Sequence, residues 1–191
     1  MSESLHEELA GYLATFPENR VVADRITRGV TPEPFNWKPA PDRWSAAQCF
    51  PHLNISARLF ADSVDQAITR GRAAGLMGTP PFRYGFMSRW VARAVDPGGQ
   101  RKYKAPAKFV AAAGEMHDVR EVVAAFHAAG ERWERCLQAA NGLDLARVKV
   151  PSPALSIMRF PLGALFGIQA SHERRHLNQA ERTLAPQQAQ G

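Results

Sequence analysis

The stretch S-H-E-R-R-H-L-N-Q, residues 171–179, places two histidines four residues apart in a segment with helical periodicity. His172 and His176 therefore share one face of a predicted helix, about 40° apart around its axis. Taken literally, H-E-x-x-H is the zinc-binding motif of metalloproteases. The rest of the chain decides whether this helix belongs to a protease or to another kind of helical protein.

The residues that follow the motif argue against a protease. Proteases of this type take a third zinc ligand further along the chain, either a histidine in an extended G-x-x-H or a glutamate. Here the extended positions hold Gln179 and Arg182, and the next glutamate, Glu181, lies in the same predicted helix. We therefore set the protease interpretation aside and look to other helices for a third partner.

Apolar residues recur with helical spacing in four stretches of the chain. The predicted helices cover residues 4–29, 45–70, 118–140 and 161–184. Ser45 is a good N-cap for the second helix, and D-V-R-E at residues 118–121 resembles a capping box at the start of the third. Pro17 is expected to kink or split the first helix, and Pro51 to bend the second.

The helices predict an all-α fold, a four-helix bundle, because few segments look like strands. Residues 71–116 form a long connection between the second and third helices, with one short helix expected inside it. A chain of 191 residues suits one domain. We expect that domain to cover residues 1–184 and to be followed by a disordered tail, residues 185–191.

Composition and charge narrow the classes of function. Hydrophobic residues make up 45% of the chain and charged residues 22%, as in ordinary soluble proteins. The net charge of +6 is spread out, so no nucleic acid is expected as a partner. The most apolar stretch, residues 155–170, is too short and too broken to span a membrane. Two cysteines without C-x-x-C, and no apolar leader, indicate a cytoplasmic protein.

The face that carries His172 and His176 also carries Leu165 and Ile168, so it is expected to point into the bundle. Burying two neutral imidazoles without hydrogen bonds would cost about 1–3 kcal/mol each. A shared metal ion would satisfy them, and so would hydrogen bonds to water or backbone. His52, on the inward side of the second helix, is either the third imidazole of a metal site or a core histidine. The residues alone leave these alternatives open.

Other side chains near these histidines were considered as ligands or catalytic groups. Cys49, one turn before His52, is interpreted as a small buried apolar residue rather than as a fourth ligand. Glu173 is offset by about 100° from His172, so we expect it beside the site or at the surface. Gln179 lies on the histidine face and would orient a histidine or the substrate. Glu173 and Gln179 are thus the candidate catalytic residues. The remaining histidines are expected at the surface: His6, His117 and His127.

Three stretches combine a W-x-x-x-P-x-x-W-S…H-L pattern with a late H-x-x-x-H-x-x-Q. They are F-N-W-K-P-A-P-D-R-W-S-A-A-Q-C-F-P-H-L (35–53), R-K-Y-K-A-P-A-K-F (101–109) and S-H-E-R-R-H-L-N-Q-A-E-R (171–182). Together they resemble the DinB-like family of helical proteins. The resemblance implies a four-helix bundle with a divalent metal ion held by one histidine of the second helix and two of the last. On this chain these are His52, His172 and His176.

The resemblance also implies a class of activity. Relatives include thiol S-transferases that use low-molecular-weight thiols. It therefore implies a metal-dependent thiol S-transferase or hydrolase that acts on a small electrophilic molecule, with zinc or nickel as the ion. The alternative is a non-catalytic metal-binding protein that serves in stress or in protein interactions. Association of helix faces into a homodimer is a further expectation.

Overall fold

The computed structural model describes residues 5–99, 105–110, 115–155 and 157–188. Its helices are α1 (Glu7–Thr27), α2 (Pro32–Asn36), α3 (Ala46–Ala73), α4 (Phe86–Ala94), α5 (Val119–Ala139) and α6 (Leu162–Gln188). Two short strands, β1 (Lys149–Pro151) and β2 (Arg159–Pro161), pair antiparallel just before α6. The four long helices, α1, α3, α5 and α6, confirm the predicted all-α bundle.

Each long helix packs against two of the others. Both α1 and α3 contact α5 and α6, so α1 and α3 occupy opposite corners of the bundle. The fully buried Trp133 of α5 connects the other three helices. Its ring contacts Phe16 of α1 and Phe166 of α6, and its Nε1 donates to the Ala57 carbonyl of α3 at 3.2 Å. As a result, α3 and α6 are neighbours, and residues on their facing sides come together.

A capping box fixes where α3 begins. The Ser45 hydroxyl accepts from the Gln48 amide at 3.1 Å, and the Gln48 side-chain oxygen accepts from the Ser45 amide at 3.1 Å. These bonds satisfy backbone donors that have no partner within the helix. The N-cap predicted at Ser45 is therefore confirmed, and the chain before it is held at a defined angle to α3.

The helix α1 runs without interruption through Pro17, so the predicted split at that residue is wrong. A proline inside a helix removes one backbone hydrogen bond. Buried side chains lie on both sides of it, with Phe16 before it and Ala23 and Ile26 after it. Because both halves bury apolar residues, packing holds them in one helix despite the lost bond.

The two strands were not expected from the sequence. Each strand has three residues and ends in a proline, Pro151 or Pro161. Three residues are too few to show the apolar alternation of a strand, and proline is unusual inside strands. The pair has a structural consequence for α6. The Leu162 amide donates to the Val148 carbonyl at 2.9 Å, so the hairpin satisfies a backbone donor at the start of that helix.

Several boundaries differ from the prediction. The helix α6 extends to Gln188, so residues 185–188 of the predicted tail are helical, and residues 189–191 lie outside the described part. The short helix expected in the long connection is α4, and a 3-10 turn, Ala107–Phe109, follows it. Within the described residues, no helix is long and apolar enough to cross a membrane.

Loss of the α3 cap should destabilise the protein. We expect Ser45→Ala to lower the free energy of unfolding by about 1 kcal/mol, because an amide at the start of α3 loses its acceptor. Thr31, the N-cap of α2, makes no side-chain capping bond, so Thr31→Ala is the matched control. Urea unfolding followed by circular dichroism measures both. Equal losses in the two variants would contradict the capping role.

Candidate metal centre

Three histidines from two helices form one cluster. The ring centroids of His52 and His172 are 5.0 Å apart, those of His52 and His176 4.6 Å, and those of His172 and His176 4.8 Å. One nitrogen of each lies within 4.8 Å of the others, an arrangement that could hold a metal ion. The structure thus brings together the three histidines that the sequence and the family resemblance singled out.

Helical geometry explains the cluster. His172 and His176 are one turn apart on the face of α6 that also buries Leu165 and Ile168. That face is directed at α3, where His52 lies near the start of the helix and is only 4% exposed. The two α6 histidines are half-buried. The cluster therefore lies at the edge of the core, with His172 and His176 partly exposed.

The backbone orients His52. Its Nδ1 lies 2.9 Å from the carbonyl oxygen of Phe109, which can only accept a hydrogen bond, so Nδ1 carries the proton. The Nε2 of the neutral ring then presents a lone pair, and it faces Nε2 of His172 at 3.0 Å. Histidines that bind metals generally donate their second nitrogen in this way, which fixes the ring and its tautomer. His52 is therefore arranged as a ligand.

The spacing and the donor set fit a divalent ion. Two imidazole nitrogens bound at about 2.1 Å to a tetrahedral ion lie about 3.4 Å apart, close to the 3.0 Å between His52 and His172. The Nδ1 atom of His176 is buried and has no hydrogen-bond partner in the described structure. A site with three neutral nitrogen donors is one that zinc and nickel accept.

Burial keeps the three imidazoles neutral. It is the largest cause that lowers the pKa of His52, opposed by the hydrogen bond to the carbonyl. Burial, then His176, His52 and Arg175, hold the pKa of His172 well below its ordinary value. For His176, burial and the charges of His52 and Arg175 lower the pKa to about 3, and Gln179 opposes them. At neutral pH all three rings therefore have a lone pair available.

Cys49 takes no part in the cluster. Its thiol donates to the Ser45 carbonyl at 3.5 Å, and the side chain is 1% exposed within the core. Burial raises the pKa of Cys49 to about 12, so the thiol stays protonated. This confirms its interpretation as a small buried residue.

The two candidate catalytic residues lie in different places. Glu173 is buried on the side of α6 that faces α1, where its oxygens accept from Asn19 Nδ2 and Gln169 Nε2, both at 3.1 Å. Of its two expected positions, beside the site or at the surface, the surface position is wrong, because α1 covers this side of α6. Gln179 lies close enough to His176 to raise its pKa, as expected for a residue that orients a histidine. The catalytic roles of both residues stay predictions.

Of the other three histidines, His127 lies at the surface, with its side chain 33% exposed, whereas His6 and His117 have buried ring nitrogens, which corrects their prediction as surface residues. His127 pairs with Asp24 at 2.8 Å. Both ring nitrogens of His6 are buried without a partner in the described structure, and the ring packs 5.5 Å from Phe82. The Nε2 atom of His117 is likewise buried. His6 and His117 differ from the prediction because neighbouring segments pack over them, which helical periodicity does not reveal.

Two neighbours of the cluster were missed in the sequence. Trp44 meets His52 edge-on at 5.0 Å and stacks on His176 at 5.6 Å, with 24° between the rings. Its position directly before Ser45, the N-cap of the histidine-bearing helix, is a signal that could have identified it. The Phe109 carbonyl is a backbone group, so no residue type marks it.

The chain was compared with known families and proteins. A family model described as the DinB superfamily matches residues 15–180. The match covers most of the chain and includes all three histidines of the cluster. No curated protein and no solved structure matched the chain.

The buried carboxyl of Glu173 should make stability depend on pH. Burial is the main cause that raises its pKa from 4.5 to about 7. Between those values the folded state holds a proton that the unfolded state has released. The carboxyl therefore contributes its full stabilisation below about pH 4.5. This contribution, up to about 3 kcal/mol, is lost as the pH rises through about 7.

The side-chain amide in Glu173→Gln does not titrate, so this variant should not show the loss of stability at higher pH. We expect the variant to gain stability relative to the wild type between pH 5 and pH 8, in metal-free protein unfolded with urea. Glu181→Gln, at an exposed carboxyl paired with Arg25, is the control. Parallel stability profiles for Glu173→Gln and the wild type would show that the carboxyl does not titrate in this range.

Proposed function

Because the chain belongs to the DinB superfamily and clusters three histidines, we propose that it is a metal-dependent enzyme acting on a small electrophilic molecule. The proposed ion is zinc or nickel, held by His52, His172 and His176. The proposed reaction is transfer of a low-molecular-weight thiol to the electrophile, or hydrolysis of the electrophile. The observation that carries the proposal is the convergence of three imidazole nitrogens within 4.8 Å, with one ring already oriented by a carbonyl.

The ligand set favours a catalytic over a purely structural centre. Structural zinc sites close with four protein ligands, whereas catalytic sites have three and leave a position open. Among the described residues, the cluster contains three histidines and no cysteine or carboxylate. Neutral imidazoles add no negative charge, so a divalent ion would keep its full charge. When bound, such an ion supplies Lewis acidity that lowers the pKa of a water or thiol beside it.

The protein's own residues would prepare the site in three ways. The Phe109 carbonyl holds His52 with its lone pair directed at His172. Burial keeps the imidazoles unprotonated, so they do not repel a cation. The partial exposure of His172 and His176 leaves access for a small molecule. These features support binding of a compact substrate at the open side of the cluster.

A positive charge next to the cluster favours an anionic reactant. The Arg175 charge lowers the pKa of His172 and His176, so it acts on both rings. Its Nη1 donates to the carbonyls of Asp96 at 2.7 Å and Gly99 at 2.8 Å, which holds the guanidinium at the edge of α6. A thiol that loses its proton at the site becomes an anion, and this charge would stabilise it.

The non-catalytic alternative uses the same three histidines. It differs from the enzyme only in what the loaded protein does to small molecules, so turnover separates the two. Partners other than a small molecule, including a second copy of the chain, stay predictions.

Metal content tests the site. We expect about one equivalent of zinc or nickel in wild-type protein purified without chelators or reconstituted, because three histidines form one site. His172→Ala/His176→Ala should hold essentially none, since two of three ligands are removed. His127→Ala, which alters a histidine paired with Asp24, should match the wild type. Mass spectrometry of the metals measures all three. A wild type that binds no metal even after reconstitution would contradict the proposal.

Turnover by the same loaded proteins tests the reaction. Wild type and His127→Ala should consume small thiols with electrophiles, or hydrolyse the electrophiles, faster than His52→Ala across a broad panel. The reason is that His52→Ala removes the oriented ligand and with it the ion. Loaded wild type that reacts no faster than His52→Ala would favour the non-catalytic alternative.

A further inference from the structure

The rings of the cluster are held by different kinds of contact. His52 is fixed by a hydrogen bond from Nδ1 to the Phe109 carbonyl. For His176, the buried Nδ1 has no partner in the described structure, and the hydrogen bond to the ring comes from the flexible side chain of Gln179. An imidazole free to rotate about its side-chain bonds would lose entropy when it binds an ion, which weakens binding. An aromatic neighbour that packs on the ring face would add a second contact that orients His176.

Trp44 is the aromatic neighbour in the right place. Its ring lies nearly parallel to that of His176, with 24° between the planes and 5.6 Å between the centroids. The same indole meets the His52 ring edge-on at 5.0 Å. One side chain thus contacts histidines of both helices, and its flat face restricts the plane of the His176 ring.

Trp44 is itself held in position. It directly precedes Ser45, whose capping box with Gln48 fixes the path of the chain into α3. Trp44 also packs against a core cluster that includes Phe50, Leu53 and Leu177. The indole is therefore anchored on both helices that carry the histidines, which gives its contact with His176 a defined geometry.

We propose that Trp44 is a positioning residue for the metal centre, which holds the plane of the His176 imidazole by stacking on its face. This inference rests on the proposed function, because it assigns a role at the same three-histidine site. It extends that function by adding a residue that binds no metal itself and yet sets the affinity and symmetry of the site.

Gln179 is the competing candidate for the same role. Its side chain makes a hydrogen bond with His176 that raises the pKa of that ring. If Gln179 orients the ring, Gln179→Ala should weaken metal binding and Trp44→Ala should not. Comparing the two variants therefore separates stacking from a polar contact.

The test compares Trp44→Ala, Trp44→Phe, Gln179→Ala and Trp37→Ala with the wild type. Trp37 is 38% exposed and lies in the same connection before α3, so its replacement is the matched control. Zinc affinity is measured by competition with a chromophoric chelator, and cobalt loading gives an absorption spectrum that reports the symmetry of the ligands. Circular dichroism checks that each variant is folded.

We expect Trp44→Ala to bind zinc about 10- to 100-fold more weakly and to change the cobalt spectrum, as loss of a ligand-orienting neighbour generally does. Trp44→Phe keeps an aromatic face and should recover most of the affinity, whereas Trp37→Ala should match the wild type. Wild-type affinity and spectrum in a folded Trp44→Ala protein would overturn the inference while leaving the metal site intact. A wild type that binds no metal would instead overturn the proposed function together with the inference.

A second measurement needs no metal. Carbon-13 relaxation of labelled histidine rings reports the order of the His176 imidazole in metal-free protein. The ring should be rigid in the wild type and in Trp44→Phe, and mobile in Trp44→Ala. A ring that stays rigid in Trp44→Ala, or loses order only in Gln179→Ala, would overturn the role of Trp44.

Discussion

Burial of three imidazoles between α3 and α6 is the constraint on which the functional account depends. In water these rings would gain protons near their ordinary pKa, but burial favours the neutral form of each. A neutral imidazole has a lone pair, and two of these rings point Nε2 at each other across 3.0 Å. Lone pairs gathered at one place repel unless a proton or a cation lies between them. The cluster therefore combines the charge state and the spacing that could hold a cation.

The bundle brings together histidines that lie far apart in the sequence. His52 and His172 meet because α3 and α6 are neighbours, and Trp133 helps to set that arrangement by contacting every other long helix. Both helix starts are fixed locally, α3 by Ser45 and its capping partner, and α6 by the carbonyls of Leu145 and Val148 just before β1. Fixed starts define how far each histidine lies along its helix, so secondary structure and packing together place the ligands.

Much of this arrangement could be predicted from the residues. The parts that could not be predicted have one physical cause in common. The four-residue spacing of His172 and His176 determines their common face, and the apolar residues beside them indicate that the face points inward. Helical geometry also placed Glu173 off that face, but it could not show that α1 covers the other side with Asn19. The Phe109 carbonyl and the strand at Pro151 depend on backbone contacts between distant segments. Such contacts leave no periodic pattern and no characteristic residue type in the sequence.

X-ray absorption at the metal edge of zinc- or nickel-loaded protein tests the central claim most directly. The account predicts scattering from three imidazole rings, with nitrogen at about 2.0–2.1 Å, and no sulfur neighbour. The imidazole contribution should come from His52, His172 and His176, and should fall to a single ring in His172→Ala/His176→Ala if any ion is retained. In buffer free of thiols, a sulfur shell at about 2.3 Å, or fewer than three imidazoles in the wild type, would contradict it.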